Sequence, residues 1–221
     1  MTVIAHNLEL IKGQLPDGVR LVAVSKTQPP ERIMEAYEAG QRIFGENRVQ
    51  ELLAKHDVLP EDIRWHLIGH LQTNKVKQIV PVVEMIHSID SEKLMSAISK
   101  SALSMGKVVD GLLQVHIAQE ETKFGLDEEE LNSILDDYCA GRYVGVAVRG
   151  LMGMATFTDD PDQVRKEFKY LKNLFLSVKD KYFAADDRFA EISMGMSSDY
   201  LLAVEEGSTL VRIGTSIFGK R

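Results

Sequence analysis

Eight short apolar runs, each followed by a stretch with helical spacing, dominate this sequence. Apolar runs of this length, bounded by turn residues, are typical of buried strands. No long Gly-, Pro- or Ser-rich linker interrupts the alternation. A strand followed by a helix, repeated eight times, favours an α/β fold with parallel strands. The runs are Leu21 to Val24, Arg42 to Phe44, Trp65 to Ile68, Met85 to Ile89, Leu112 to Ile117, Val144 to Leu151, Phe189 to Ile192 and Leu210 to Ile213.

Residues that loops, caps and ligands use follow every run, from Ser25-Lys26 after the first to Gly214-Thr215-Ser216 after the last. A (β/α)8 barrel builds its active site at the carboxyl ends of its strands, so this asymmetry predicts one TIM barrel domain over residues 1–221. An extra helix, about Val3 to Leu15, is expected before the first strand. An open doubly wound sheet is the alternative, because periodicity alone does not distinguish the two.

Composition limits the classes of function that fit. The chain has 221 residues, 44% of them apolar and 27% charged, which is typical of a soluble protein. Its formal net charge of −7 argues against a nucleic-acid binder, since contacts to phosphate backbones need a basic surface. The N-terminus lacks the features of a secretory signal, and a lone Cys139 suits a reducing compartment. We therefore expect a cytoplasmic protein with no membrane association.

Lys26 is the first candidate for chemistry. It ends the first apolar run and is followed closely by the pair Pro29-Pro30, which should stop the strand and start a helix. A lysine at the carboxyl end of a buried strand would keep its stem in a dry environment. Such a lysine can supply the neutral amine that forms a Schiff base with an aldehyde. The alternative is an ordinary solvated lysine.

Two loops near the C-terminus form a second candidate. The segment Ser193 to Tyr200 follows the seventh run, and Arg212 to Gly219 spans the eighth run and its exit. In barrels these two loops commonly hold a phosphate, because backbone N–H groups converge there. Ser197 or Ser198 could cap a helix beginning at Asp199, and Gly214-Thr215 could add donors. Two ordinary turns with a serine cap are the alternative.

Arg212 lies within the last apolar run, where an unpaired guanidinium would be costly. Its acceptor could be a carboxylate such as Glu191 or a heteroatom of a ligand. If the ligand were pyridoxal phosphate, with its aldehyde on Lys26, Arg212 would be well placed for the pyridine nitrogen. A permanent cation there disfavours pyridinium, so the ring would be a weak electron sink.

Other motifs point to no further chemistry. His66 and His70 are expected on a strand and its exit, which does not match the helical spacing of a zinc protease motif. We therefore expect no metal site. The Gly-rich loops that bind nucleotides are also missing from the sequence.

Together, several segments spread from the first run to the last resemble the pyridoxal phosphate homeostasis protein family. The resemblance implies a single barrel of the alanine racemase type, that is, a type III fold among proteins that use this cofactor. The segments are Ala23-Val24-Ser25-Lys26-Thr27, Phe44-Gly45-Glu46-Asn47 with Gln50-Glu51, Trp65 to Lys75, Gly150-Leu151-Met152, Ser193-Met194-Gly195-Met196-Ser197 and Arg212 to Gly219.

The resemblance also implies a role for each matching residue. Lys26 would hold pyridoxal 5′-phosphate as an internal aldimine, and Arg212 would face its ring nitrogen. Asn47 and the loop Lys123-Phe124-Gly125 would be neighbours of the pocket. Gln28 departs from the pattern, because many relatives have a second lysine there. The phosphate would be held by the loop from Ser193 to Ser198, with Met194, Gly195, Ser197 and Ser198, and by Gly214 and Thr215.

Two classes of function compete at this point. The family resemblance implies a carrier that stores, protects and delivers pyridoxal phosphate without turnover, with apo forms of enzymes that use it as possible partners. An amino-acid racemase or decarboxylase of the alanine racemase type is the alternative, but such enzymes carry a C-terminal β-domain that we do not expect here. A sugar-phosphate barrel enzyme with a Schiff-base lysine is a third reading. We expect a monomer.

Overall fold

Eight parallel strands close into a barrel in their order along the chain. The computed structural model describes residues 1–120 and 124–219. Closure is made by β1 and β8, which pair in register from Arg20 opposite Leu210 to Ala23 opposite Ile213. The (β/α)8 barrel is therefore confirmed, and the open doubly wound sheet is wrong. The strands are β1 (Arg20–Val24), β2 (Ile43–Glu46), β3 (Arg64–Leu67), β4 (Met85–Ile89), β5 (Val109–Gln114), β6 (Val146–Met152), β7 (Glu191–Ser193) and β8 (Leu210–Ile213).

Helices surround the barrel, and the expected extra helix precedes the first strand. Its buried residues Ile4, Leu8 and Ile11 lie on one face, and Asn7 donates a hydrogen bond to the Ile217 carbonyl at 2.9 Å. The N-terminal helix is thereby tied to the last one. A 3-10 turn, Thr73–Lys75, stands before the fourth helix. The helices are α1 (Val3–Gln14), α2 (Pro30–Glu38), α3 (Val49–His56), α4 (Val76–Ile79), α5 (Glu92–Ser104), α6 (Glu128–Cys139), α7 (Pro161–Tyr182), α8 (Tyr200–Glu205) and α9 (Thr215–Phe218).

Alternation along the strands separates two apolar layers. The larger layer lies between the sheet and the helices, while a smaller cluster fills the barrel interior. Val22 belongs to the interior cluster, and successive residues of a strand point to opposite faces. Lys26 therefore continues the inward row of β1 beyond its end. The interior cluster comprises Val22, Ile43, Met85, Leu112, Met152 and Leu210.

Strand boundaries differ from the expected ones most at β5, by three residues at each end, and by up to two residues at β6 and β7. The chain leaves the barrel after Gln114, and Val115 forms an isolated bridge with Leu126 instead of extending the strand. Phe189 lies before β7 and stacks its ring on that of Phe183, with centroids 4.2 Å apart. Apolar character there reflects packing against α7 rather than strand pairing. Among residues 1–120 and 124–219, no helix combines the length and apolar character needed to cross a membrane.

Candidate functional site

A cavity of about 740 Å³ opens at the carboxyl ends of the strands. Seven of the nine residues predicted to bind a cofactor line it, although they come from distant parts of the sequence. The lining consists of Val24, Lys26, Asn47, Ile68, Met154, Phe157, Met196, Ser197, Ser198, Arg212, Gly214, Thr215 and Ser216. The strand ends thus bring the predicted lysine, the arginine and both C-terminal loops onto one cavity.

Lys26 occupies the turn that follows β1. Its side chain is half-buried, which is more open than the dry environment expected from the sequence. The backbone N–H of Gln28 donates to the Ser25 carbonyl at 2.9 Å and closes the turn around Lys26. Thr27 has a φ of 64°, in the left-handed region that is uncommon for a residue with a branched Cβ. The backbone at the lysine is therefore held in an unusual conformation.

The two C-terminal loops contact each other at the edge of the cavity. Gly214 donates its N–H to Ser197 Oγ at 3.2 Å. The next two amides, of Thr215 and Ser216, lie in the first turn of α9, where backbone N–H groups have no acceptor within the helix. A Cβ at Gly214 would lie 3.0 Å from the Val24 carbonyl oxygen, so this glycine allows β1 and the last loop to approach closely. The arrangement can bind a small anion.

The expected serine cap on α8 is wrong. The helix begins at Tyr200 with Asp199 as its N-cap residue. Asp199 Oδ1 accepts the Met196 N–H at 2.6 Å, which closes the turn containing Ser197 and Ser198. A carboxylate readily accepts a bond from a backbone N–H, so Asp199 fulfils the role expected of a serine. Ser197 and Ser198 instead line the cavity.

Met194 and Gly195 are the two predicted residues that do not line the cavity. Met194 is fully buried in the layer between barrel and helices. Gly195 has a φ of 92°, and a Cβ there would lie 2.5 Å from that of Ala203 in α8. Both residues pack the loop against its surroundings, and their predicted role in binding a cofactor stays a prediction.

Arg212 projects from β8 into the cavity and is almost fully buried. Its guanidinium donates to Ser193 Oγ at 2.5 Å and to the Gly153 carbonyl at 3.1 Å. The carboxylate partner considered for it, Glu191, is paired with Arg20 at 2.5 Å instead. Burial lowers the pKa of Arg212 to about 10, which leaves it a cation at neutral pH.

A row of buried polar side chains continues from Arg212 along the barrel interior. His87 Nδ1 lies 3.0 Å from Ser193 Oγ, and His87 Nε2 lies 2.9 Å from His66 Nδ1. Arginine only donates, so Ser193 accepts from Arg212 and gives its own proton to His87. His87 then donates from Nε2 to His66. We call the row Arg212, Ser193, His87 and His66 the axial chain, and all its hydrogen bonds are donated away from the cavity.

Both histidines of the axial chain make stability depend on pH. Burial holds the pKa of His87 well below 6.5, and burial also lowers the pKa of His66 although the nearby Glu84 opposes that shift. Below the unfolded pKa of histidine, the unfolded chain binds protons that the folded chain does not. The two buried histidines therefore leave stability undiminished above that pKa, and the folded state loses stability as the pH falls through it. Denaturant unfolding at about pH 7.5 and about pH 5.5 should show a loss of about 1 kcal/mol from His87, with a smaller loss from His66. The loss should be smaller in His87→Asn and unchanged in His6→Asn, whose side chain is exposed; identical losses in all three proteins would contradict this assignment.

Asn47 follows β2 and carries an unsatisfied acceptor at the cavity. Its Oδ1 is buried with no hydrogen-bond partner among the described residues. A buried acceptor without a hydrogen-bond partner costs free energy, so a ligand that donates a hydrogen bond to Asn47 Oδ1 would remove that cost. Asn47 is thus placed to contact a bound molecule.

The other sequence signals lie outside the cavity lining. His70 pairs with Asp90 at 2.8 Å and stacks on Phe124, with ring centroids 4.4 Å apart. Within the described part of the chain, no three His, Cys, Asp or Glu side chains cluster as metal ligands would. Lys123, expected beside the pocket, lies outside the described residues.

Sequence reasoning missed the partners of Arg212. Ser193 directly follows the seventh apolar run, and His87, which bonds to Ser193, was visible as a polar residue within the fourth. His87 stands two residues after Met85, whose side chain lies in the barrel interior, so strand alternation alone would have placed it inward. The exposed Phe157 and the apolar Ile68 and Met154 of the lining carried no such signal.

Sequence comparisons connect this arrangement to known proteins. The model of the alanine racemase N-terminal domain family matches residues 1–221. A pyridoxal phosphate homeostasis protein of Aquifex aeolicus is 42% identical over 210 residues, covering 95% of this chain and 90% of that protein. The human pyridoxal phosphate homeostasis protein is 40% identical over 212 residues, covering 91% of this chain and 76% of that protein.

Structural comparisons agree with the sequence comparisons. PipY of Synechococcus elongatus, solved with pyridoxal phosphate bound, is 39% identical and superposes with a TM-score of 0.89 over 98% of this chain and 100% of that one. The alanine racemase of E. faecalis is 14% identical and has a TM-score of 0.77, covering 99% of this chain and 58% of that one. The racemase likeness shows a shared barrel and nothing further.

Proposed function

Because the chain belongs to the pyridoxal phosphate homeostasis protein family, we propose that it binds pyridoxal 5′-phosphate and takes part in vitamin B6 homeostasis within the cell. In this proposal the protein stores the cofactor, protects it and delivers it. One observation carries the proposal: Lys26, Arg212 and the two C-terminal loops with their hydroxyl and backbone N–H groups line the same cavity.

The residues of the cavity fit the chemical groups of the cofactor. When bound, the cofactor supplies an aldehyde that reacts with primary amines. Lys26 Nζ would bond to the aldehyde carbon and displace its oxygen as water. The phosphate would lie against Ser197, Ser198 and the first turn of α9, where hydroxyl and amide donors converge. Arg212, a donor at neutral pH, would face the ring nitrogen.

The chemistry of the lining favours a carrier over a racemase. Among the described lining residues, Lys26 and Arg212 are the only titratable side chains. Racemisation needs one group to remove a proton from one face and another to return it on the opposite face. Arg212 is engaged with Ser193 and Gly153 and is a poor proton donor, so Lys26 has no evident partner in that reaction. A racemase or decarboxylase remains the competing function because the family model carries the racemase name.

The competing functions separate in one experiment. The holoprotein is incubated with a panel of L-amino acids in deuterated water, and in parallel with the apo form of an enzyme that needs the cofactor. We expect transfer of the cofactor to the apoenzyme with no D-amino acid, amine or keto acid formed. Turnover at ordinary enzyme rates, about one per second or faster, would overturn the carrier function in favour of an enzyme.

The colour of the purified protein provides the first test. A sugar-phosphate enzyme with a Schiff-base lysine would be colourless, whereas the bound cofactor absorbs visible light. We also propose that the protein is a monomeric, single-domain cytoplasmic protein, with apo forms of enzymes that use the cofactor as its partners. Sedimentation of the holoprotein alone and with an apoenzyme would test the monomer and the partners.

A further inference from the structure

A buried group of charges lies directly behind Lys26, on the outer face of the barrel. Glu46 ends β2 and is fully buried, and Lys55 of α3 reaches it with an Nζ to Oε1 distance of 2.7 Å. Lys55 Nζ also lies 2.7 Å from Oε1 of Glu51, one turn earlier in the same helix. We call Glu46, Glu51 and Lys55 the outer charge cluster. Its members do not line the cavity.

The outer charge cluster binds the backbone on both sides of Lys26. Before the lysine, the Ser25 carbonyl accepts from Lys55 Nζ at 2.8 Å and the Ser25 hydroxyl donates to Glu46 Oε1 at 2.6 Å. After the lysine, the Thr27 N–H donates to Oε1 of Glu51. Three charged side chains thus contact residues 25 and 27, while residue 26 between them faces the cavity.

Holding this cluster together costs free energy that the fold alone does not require. Burial raises the pKa of Glu46 despite its bonds to Lys55 and Ser25. Well-packed apolar residues in place of a buried ion pair are often as stable or more stable. Thr27, whose N–H donates to Glu51, has a φ of 64°, and strain of this kind concentrates at functional sites. This cost in folding free energy is explained if the conformation of the Lys26 turn matters for function.

We propose that Glu46, Glu51 and Lys55 are positioning residues that hold the turn on either side of Lys26, so that the amine points to the reacting carbon of the ligand. The inference rests on the proposed function, because it takes Lys26 as the residue that bonds to the cofactor. Reacting atoms must be held in close alignment, and a displacement of about 1 Å can slow a reaction by about a hundredfold. The outer charge cluster would set the rate of attachment without touching the cofactor.

Glu51→Ala is the suitable variant. The Glu51 side chain is partly exposed, and Lys55 still pairs with Glu46 in its absence, so no buried charge is left alone. Glu51→Gln keeps an acceptor for the Thr27 N–H and serves as the rescue variant. Asp62→Ala, which breaks an ion pair with Arg42 away from the cavity, is the matched control.

Two ligands separate positioning from simple loss of binding. Pyridoxal phosphate reports covalent attachment, while pyridoxine 5′-phosphate has an alcohol in place of the aldehyde and reports non-covalent binding alone. In Glu51→Ala we expect attachment to slow about tenfold or more, with affinity for pyridoxine 5′-phosphate within about twofold of wild type. Glu51→Gln and Asp62→Ala should stay near wild type in both measurements. Amide hydrogen exchange at Thr27 in the apoprotein should accelerate in Glu51→Ala alone.

Other outcomes would overturn the inference. Unchanged attachment in Glu51→Ala, or an equal loss of both ligands, would mean that the outer charge cluster has no positioning role. If wild-type protein formed no covalent adduct but bound pyridoxine 5′-phosphate, the proposed role of Lys26 would fail first. Failure of the role of Lys26 is distinguishable from failure of the positioning role, because it appears in the wild-type protein and not only in Glu51→Ala.

Discussion

We expect Lys26→Ala to abolish the visible aldimine band of the protein, measured after unbound pyridoxal phosphate has been removed, and we expect borohydride then to fix no cofactor to the chain. The band requires a carbon–nitrogen double bond conjugated with the pyridine ring, and only a primary amine in the cavity can form it. Among the described lining residues, Lys26 is the only lysine. Absorbance spectra before and after borohydride, followed by peptide mapping, measure the effect, which should be an essentially complete loss.

Folding should survive the change. Lys26 is half-buried at the end of a strand, and substitutions at such positions typically change the free energy of unfolding by about 0.5 kcal/mol. Lys93→Ala, at an exposed position on α5, is the matched control and should keep the full band. A band that persisted in Lys26→Ala would assign the chemistry to another lysine.

Removal of the phosphate from the ligand should weaken binding about a hundredfold or more. Hydrogen bonds to a charged group are each worth about 1.5–3 kcal/mol, and about 1.4 kcal/mol corresponds to a tenfold change in affinity. Ser197 and Thr215 would supply hydroxyl donors, alongside amides of the first turn of α9. Titration with pyridoxal phosphate and with pyridoxal measures this gap in affinity between the two ligands.

The double variant Ser197→Ala and Thr215→Ala should narrow this gap without closing it. The two hydroxyls are lost, but the backbone N–H groups remain. Affinity for pyridoxal should hardly change, because that ligand has no phosphate to bind. Equal affinity of the wild-type protein for the two ligands would refute the assignment of both loops.

The barrel was accessible from the sequence because its signal is repeated eight times. Each apolar run, such as Met85 to Ile89, marks a strand locally, and the residue after the run marks the functional end. Lys26 and the two C-terminal loops could be grouped on the same logic, since carboxyl ends of parallel strands meet at one rim. Strand ends at β5 and β7 were misjudged because apolar residues also pack against helices.

Contacts between distant segments could not be predicted from the sequence. Glu191 was a reasonable partner for Arg212, yet it pairs with Arg20 because β7 is short and its first residue lies at the opposite end of the barrel. No local sequence pattern distinguishes Lys55, and the packing of α3 against β2 makes it a buried cation. Such partnerships depend on register and helix placement, which local patterns do not encode.

Closure of the barrel by β1 and β8 has a consequence for folding. Lys26 comes from the first strand, whereas Arg212, Gly214 and Thr215 come from the last, and the pairing of those two strands makes them neighbours. Contacts between the two ends of a chain are among the slowest to form, because the loop that must close is longest. Pyridoxal phosphate would then recognise the chain only after its ends have met. The ligand becomes a probe of the final folding event, and any species with an open seam should be colourless.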